Sequence, residues 1–249
     1  MIRLIDIETS PLTAYTWGTF DQNVLKILEP SKIISVAWKD LHSPDVNVKT
    51  IFDYPGYKAG VIDDKKLIKE VWKVLDEADV LIAHHGVSFD FKKLNARFIY
   101  HGLPAPSAYK TIDTKKVASK YFRFDSNSLN NLGQYLGEGA KVQNGGFDLW
   151  VRCIAGDEAA WRLMAEYNIQ DVVLLEKIYL RLRPYIENHP NLNLIVDPTL
   201  DSCPSCLSTK LQKRGFSYTK TSRRQRYQCK DCSSWSAGPY IKLSKILTK

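Results

Sequence analysis

Long apolar runs are missing from this chain. No uninterrupted stretch approaches the ~20 residues needed to cross a bilayer, so no membrane-spanning helix and no membrane partner is expected. A secretory apolar core is missing too, because Arg3, Asp6 and Glu8 interrupt the first ten residues. Both absences point to a cytoplasmic protein. There is no internal repeat and no long low-complexity segment, which excludes solenoids and disordered tracts. Cysteine is scarce before residue 200, where Cys153 stands alone and reads as a packing residue. Acid is scarce at the other end: residues 196–249 hold 11 Lys and Arg against 3 Asp and Glu.

What is present divides unevenly. Residues 1–195 carry 24 basic and 24 acidic side chains, so the whole net charge of +8 lies in the last 54 residues. The junction contains Pro190 and Pro198, as a linker would. At 249 residues the chain accommodates one full domain and a small appendage. The expected organisation is a domain over 1–190, a linker over 191–200 and a basic module with its tail over 201–249. A block this basic is a candidate phosphate-binding surface.

Four of the five cysteines fall in that block, as Cys203-x-x-Cys206 and Cys229-x-x-Cys232, with 22 residues between the pairs. Tetrahedral Zn²⁺ takes four thiolates, and each C-x-x-C turn supplies two. Disulfides are the main alternative, disfavoured because nothing indicates an oxidising compartment. The spacing leaves room for a β-hairpin with arms at Lys210–Phe216 and Arg224–Gln228. The expected module is therefore a zinc ribbon holding one structural Zn²⁺ through Cys203, Cys206, Cys229 and Cys232. The glycine that often follows each knuckle is replaced by Leu207 and Ser233. Arg223, Arg224 and Arg226 lie among Phe216, Tyr218 and Tyr227. Cations there suit phosphates, and the aromatics either stack on bases or form the hairpin's own small core.

Three fragments of the larger domain carry acids. I-R-L-I-D-I-E-T is too short and too β-branched for a helix and reads as a strand. Alternation puts Asp6 and Glu8 on one face and Ile5 and Ile7 on the other. Two acids on a covered strand face repel each other and lose hydration, and a bound cation removes both objections. A half-exposed strand whose acids meet water is the other reading. In the second fragment, Val80–Ala83 reads as a buried strand. The helical spacing of Phe91, Leu94 and Phe98 then sets Asp90 at a helix start, where a cap is the plain alternative. In the third, Tyr167 and Asp171 are four apart on a long amphipathic stretch over residues 157–182 and share one face.

Together these fragments resemble the DEDD-type 3′→5′ exonucleases of the ribonuclease-H-like superfamily, in the tyrosine subclass. D-x-E is matched by Asp6 and Glu8, Phe-Asp by Phe89 and Asp90, and Y-x-x-x-D by Tyr167 and Asp171. T-I-D-T at Thr111–Thr114 and the segment Ser128–Gly137 fit the same pattern. His85 departs from it, standing where such enzymes usually have Asn. The resemblance covers about residues 1–187. It implies an α/β fold with a mixed five-stranded sheet flanked by helices, the second strand antiparallel to its neighbours. Strands are expected at Ile2–Ile7, Ile33–Trp38, Val46–Phe52, Val80–Ala83 and near Thr111.

The resemblance also implies two catalytic Mg²⁺ or Mn²⁺ ions. Asp6, Glu8 and Asp171 hold one, Asp6 bridges to the second, and Asp90 acts through the outer shell, while Tyr167 positions the attacking water. Carboxylate oxygens suit these ions rather than Zn²⁺. Thr9, Trp17, His85 and Phe89 are the expected contacts of the terminal nucleotides, with Arg223, Arg224 and Arg226 contacting nucleic acid from the ribbon. Tyr15, Trp17 and Phe20 either line that groove or pack under the sheet. The pairing with a C-terminal ribbon is similar to stand-alone bacteriophage exonucleases, implying host cytoplasm and single-stranded DNA or DNA 3′ ends as substrate. RNA is the alternative substrate. A binding protein with a vestigial site, whose ribbon grips nucleic acid or docks a DNA polymerase, is the alternative of another class, and a recombination factor is a further candidate partner.

Overall fold

The strand expected at the N-terminus is β1 (Ile2–Thr9), in a computed structural model that describes residues 1–197 and 201–242. It pairs antiparallel with β4 (Ile33–Asp40) and parallel with β6 (Val80–Ala83). Beyond these lie β5 (Asn47–Thr50), antiparallel to β4, and β7 (Lys110–Asp113), parallel to β6. The mixed five-stranded sheet thus has the order β5-β4-β1-β6-β7, with the antiparallel second strand in place. Seven of the eight residues of β4 and all four of β6 are buried. Strands covered on both faces need such near-continuous apolar runs. β1 departs from this rule at its acids, at Thr9 and at buried Arg3, whose guanidinium donates to Asp40 and to the Val74 carbonyl.

Two short strands were not anticipated. β2 (Thr13–Tyr15) and β3 (Lys26–Glu29) form a separate two-stranded arm just after β1. Its root is closed where Ser10 N donates to Lys32 O at 2.8 Å and Lys32 N donates to Ser10 Oγ at 2.9 Å.

The helices cover the sheet. α1 (Lys65–Asp76) buries Leu67, Ile68, Val71, Val74 and Leu75, one stripe at helical spacing. α2 (Asp90–Tyr100) buries Phe91, Leu94 and Phe98, as their spacing required. Asp64 takes two 2.7 Å hydrogen bonds from Arg97 and one of 3.2 Å from Ile33 N, tying the start of α1 to α2 and β4. α3 (Thr114–Tyr121) is capped by Asp113, and α4 (Leu129–Tyr135) by Ser128. α5 (Asp148–Ile154) precedes α6 (Glu158–Leu182), 25 residues long. Ile5, Ile7, Leu81, Phe91, Leu94 and Trp161 belong to one continuous core, each apolar side chain contributing roughly 1.5–3 kcal/mol on burial. Among the described residues, no helix is long and apolar enough to cross a membrane.

The chain forms two compact units, Met1–Ile178 and Tyr179–Lys249. Within the second, α7 (Asn193–Val196) occupies part of the expected linker. Asn193 exchanges hydrogen bonds with Ser202, and Leu192 N donates to Pro204 O at 2.8 Å, so this stretch is bound to the first cysteine turn. The expected hairpin is present as β8 (Leu211–Tyr218) and β9 (Ser222–Cys229). β10 (Trp235–Ala237) and β11 (Ile241–Lys242) pair with successive stretches of β9. Linker positions 198–200 and tail positions 243–249 lie outside the described residues.

Candidate active site

Asp6 and Glu8 project from one face of β1, and α6 brings Asp171 to them: ligand oxygens from the three lie within 4.8 Å of one another. Asp90 joins at the start of α2, its Oδ1 accepting from Ile7 N at 3.3 Å, so it is fixed to the strand bearing the other acids. Asp90 and Asp171 are almost fully buried, at 4% and 1% exposure. Tyr167, one helical turn before Asp171, is buried as well. The β1–β4 register shifts immediately after the acids, where Glu8 faces Ser35 and Thr9 faces Ile33, so that Ile34 of β4 is the extra residue.

Burial and mutual repulsion dominate the electrostatics. Burial pushes the Asp6 carboxyl well above its usual range, and Asp90, Glu8 and Asp171 add to the rise. Glu8 is raised to about 8 by burial and by Asp171. Asp90 is raised to about 7, chiefly by burial, and Asp171 is raised for the same reason. Acids so placed favour divalent cations, which relieve both the lost hydration and the repulsion. The donor set fits. Oxygens on one octahedral ion with ~2.1 Å bonds lie about 3.0–4.2 Å apart, and Asp171 Oδ1 is buried with no hydrogen-bond partner.

Asn168 and Lys141 were not legible as site residues. Asn168 Nδ2 donates to Asp6 Oδ2 at 2.8 Å, while its Oδ1 accepts from Ser35 Oγ at 2.8 Å. This relay from β4 through α6 fixes the orientation of the Asp6 carboxylate. Lys141, on the connection between α4 and α5, donates to Asp171 Oδ2 at 2.5 Å and to the Tyr167 hydroxyl at 3.0 Å. Burial alone would lower the Lys141 pKa, but Asp171 and Tyr167 reverse this and hold the ammonium charged. Tyr167 is itself raised to about 12, by burial and then by Asp171. The only hint of Lys141 in the sequence is the glycine-rich setting of Gly137, Gly139, Gly145 and Gly146.

The turn before Asp90 explains two other motifs. Asp113 accepts from His85 N at 3.0 Å and Val87 N at 3.2 Å while capping α3 through Lys115 N and Lys116 N. The T-I-D-T aspartate is therefore a backbone organiser. His85 has φ 71°, in the left-handed region where Asn and His are both enriched, so either residue suits this turn. Gly86 is obligatory, since a Cβ there would meet Ala83 Cβ at 2.4 Å.

The remaining expected contacts are scattered. His85 and Phe89 are exposed on this turn, and Thr9 is partly buried one residue beyond Glu8. Trp17 and Phe20 are 87% and 84% exposed on the β2–β3 arm, which rules out packing under the sheet.

In the second unit, Cys203, Cys206, Cys229 and Cys232 converge. The Cys203–Cys232 and Cys206–Cys229 sulfurs are 3.6 and 3.7 Å apart, close to the roughly 3.8 Å edge of a tetrahedron with ~2.3 Å Zn–S bonds. The two turns are the same structure: Leu207 N and Ser233 N donate to Cys203 O and Cys229 O, and Cys203 N and Cys229 N donate to Ser208 O and Ser234 O. Leu207 (φ 63°) and Ser233 (φ 62°) both occupy the left-handed region, so the missing glycines are felt as backbone strain. Arg223, Arg224 and Arg226 stack over Phe216, Tyr240 and Trp235 respectively. Arg224 also donates to the carbonyls of Gly238 and Ala237 and is built into the sheet, whereas Arg223 and Arg226 are exposed.

Residues 45–183, more than half of the chain, match the family model of the RNase H superfamily, and the chain belongs to it. Membership defines the larger unit as a nuclease-type fold. No curated protein matches the chain. The matched span includes Asp90, Tyr167 and Asp171 and begins after Asp6 and Glu8.

Proposed function

We propose that the protein is a metal-dependent 3′→5′ exonuclease of the tyrosine-containing DEDD type, acting on single-stranded DNA or DNA 3′ ends in replication, repair or recombination. The observation that carries this reading is the meeting of Asp6, Glu8 and Asp171 from two distant segments, with ligand oxygens within 4.8 Å. These three would hold one Mg²⁺ or Mn²⁺, Asp6 would be shared with a second, and Asp90 would act through the outer shell. When bound, the ions supply an acidified water and positive charge at the leaving 3′ oxygen. Asn168 orients Asp6 for that role. Tyr167 would orient the attacking water through its hydroxyl, an ordinary phenol being a poor general base at neutral pH. The products are nucleoside 5′-monophosphates.

The cysteine cluster is a zinc ribbon in this reading, and the metal folds a module whose core is little more than Cys203, Cys206, Cys229, Cys232 and Leu211. It adds affinity for nucleic acid rather than chemistry.

The test is digestion of 5′-labelled, sequence-matched DNA and RNA oligonucleotides with Mg²⁺, Mn²⁺ or chelator, alongside Asp6→Ala and Tyr167→Phe. A metal-dependent ladder shortening from the 3′ end is expected, absent in Asp6→Ala and slowed in Tyr167→Phe. Internal cuts, or equal digestion by Asp6→Ala, would refute the reading. Relative rates on the two sugars decide between DNA and RNA.

A further inference from the structure

The Lys141 ammonium stands inside the carboxylate cluster, in contact with oxygens that the nuclease reading assigns to metal binding and water orientation. Its 2.5 Å bond is to Asp171 Oδ2 and its 3.0 Å bond is to the Tyr167 hydroxyl. A divalent ion about 2.1 Å from the same carboxylate would sit against this ammonium with like charge. Asp6, Glu8, Asp90 and Asp171 together carry four negative charges when ionised, which two divalent ions balance without the lysine. A phosphate entering with those ions brings a new negative charge.

The backbone around Lys141 is anchored. Its N–H donates to Asn130 Oδ1 at 2.9 Å, and Glu138 N donates to Gly133 O at 2.9 Å on α4. Gly133 accepts this close approach because it lacks a Cβ, which would meet Gly139 O at 2.5 Å. The chain holds the start of the side chain still, and its flexible four-carbon stem reaches about 6 Å from that point. Rotamer changes alone therefore carry the ammonium out of the cluster. No segment has to unfold.

We propose that Lys141 is a tethered cation that competes with divalent metal for the Asp171 carboxylate and, once displaced, pairs with the phosphate of the bound strand. In the absence of metal it holds the acids together. Once metal has entered, it is a positioning residue for substrate. The inference rests on the nuclease reading above.

The experiment is Mn²⁺ titration of the full-length, zinc-loaded protein without nucleic acid, followed by the free Mn²⁺ paramagnetic resonance signal. Lys141→Met keeps the stem and removes the charge, and Lys141→Gln provides a second uncharged variant. Lys141→Arg keeps the charge, and Asp6→Asn reports whether the cluster binds Mn²⁺ at all. Both uncharged variants should bind Mn²⁺ about tenfold or more tightly than the wild type, the equivalent of one lost ion-pair competitor. Lys141→Arg should stay near the wild type. At saturating Mn²⁺, Lys141→Met should have a higher KM for the oligonucleotide. Unchanged or weaker Mn²⁺ affinity in both uncharged variants overturns the competition and makes Lys141 a structural partner of Asp171. Mn²⁺ binding that is indifferent to Asp6→Asn overturns the nuclease reading, and this inference with it.

Discussion

Replacing Glu8 by Gln should make the metal-free protein more stable. Glu8 is raised from 4.5 to about 8 in the fold, so the native state holds a proton that the unfolded state has released between those values. Stability from a raised carboxylate is fullest below the unfolded pKa and is lost as pH rises toward the folded one. Integrated to neutral pH, the full shift would cost the native state about 3 kcal/mol. Glu8 keeps some solvent access, and screening brings the expected gain of Glu8→Gln to about 1–2 kcal/mol.

The informative window lies above about pH 6.5. Below it, buried His84, lowered to about 4, destabilises the fold on acidification and masks the slope. The assay is urea unfolding at about pH 6.5 and 8.5 in Mg²⁺-free buffer with stoichiometric Zn²⁺. It is read by tryptophan emission, which reports mainly on the first unit because five of the six tryptophans lie there. Wild type should lose about 1–2 kcal/mol across the window. Glu8→Gln should lose less, with a residual slope from Asp90, raised to about 7. Mg²⁺ should stabilise the wild type most at the alkaline end. Wild-type stability that rises with pH, or a Glu8→Gln slope equal to that of the wild type, would refute the electrostatic account.

Asn168→Ala should free the Asp6 carboxylate, lowering Mn²⁺ affinity or cleavage rate by about 10–100-fold, as loss of a ligand's supporting hydrogen bond does; unchanged values in both assays would remove its orienting role. Leu207→Gly and Ser233→Gly should each relieve a left-handed residue and stabilise the ribbon by about 0.5–1 kcal/mol, measured as slower zinc release to a chromogenic chelator; faster release would contradict the strain. Arg223→Ala and Arg226→Ala should each flatten the salt dependence of single-strand binding by about 0.7 in log–log slope, measured in Ca²⁺ to limit cleavage. Arg224→Ala should instead lower the ribbon's unfolding midpoint, because its guanidinium holds the Gly238 and Ala237 carbonyls.

The sheet was readable because its central strands are covered on both faces. Val80–Ala83 has nothing but apolar side chains, and β4 has an almost unbroken run. The acids of β1 stood out because alternation made them the exception on a covered strand. α2 and α6 were readable from spacing, and the cysteine turns from ligand arithmetic. The β2–β3 arm escaped because its apolar residues, Trp17 and Phe20 among them, face solvent and follow no burial pattern. Lys141 escaped for a different reason. Its place is set by where a glycine-rich connection crosses α6, thirty residues before Asp171, and no local periodicity encodes such a meeting. Asn168 lay in plain view inside Y-N-I-Q-D, yet its role depends on Ser35, 133 residues away.

Asp113 changes how an alanine scan of this protein should be interpreted. One carboxylate receives four backbone N–H groups from two successive strand-to-helix turns. Asp113→Ala would orphan those donors and loosen the loop that delivers Asp90. An inactive Asp113 variant would therefore be explained by lost scaffolding and would not by itself assign Asp113 to the chemistry. Asp113→Asn, which keeps one acceptor oxygen, separates scaffolding from chemistry: partial recovery of cleavage fits a latch, whereas Asp6→Asn should recover none.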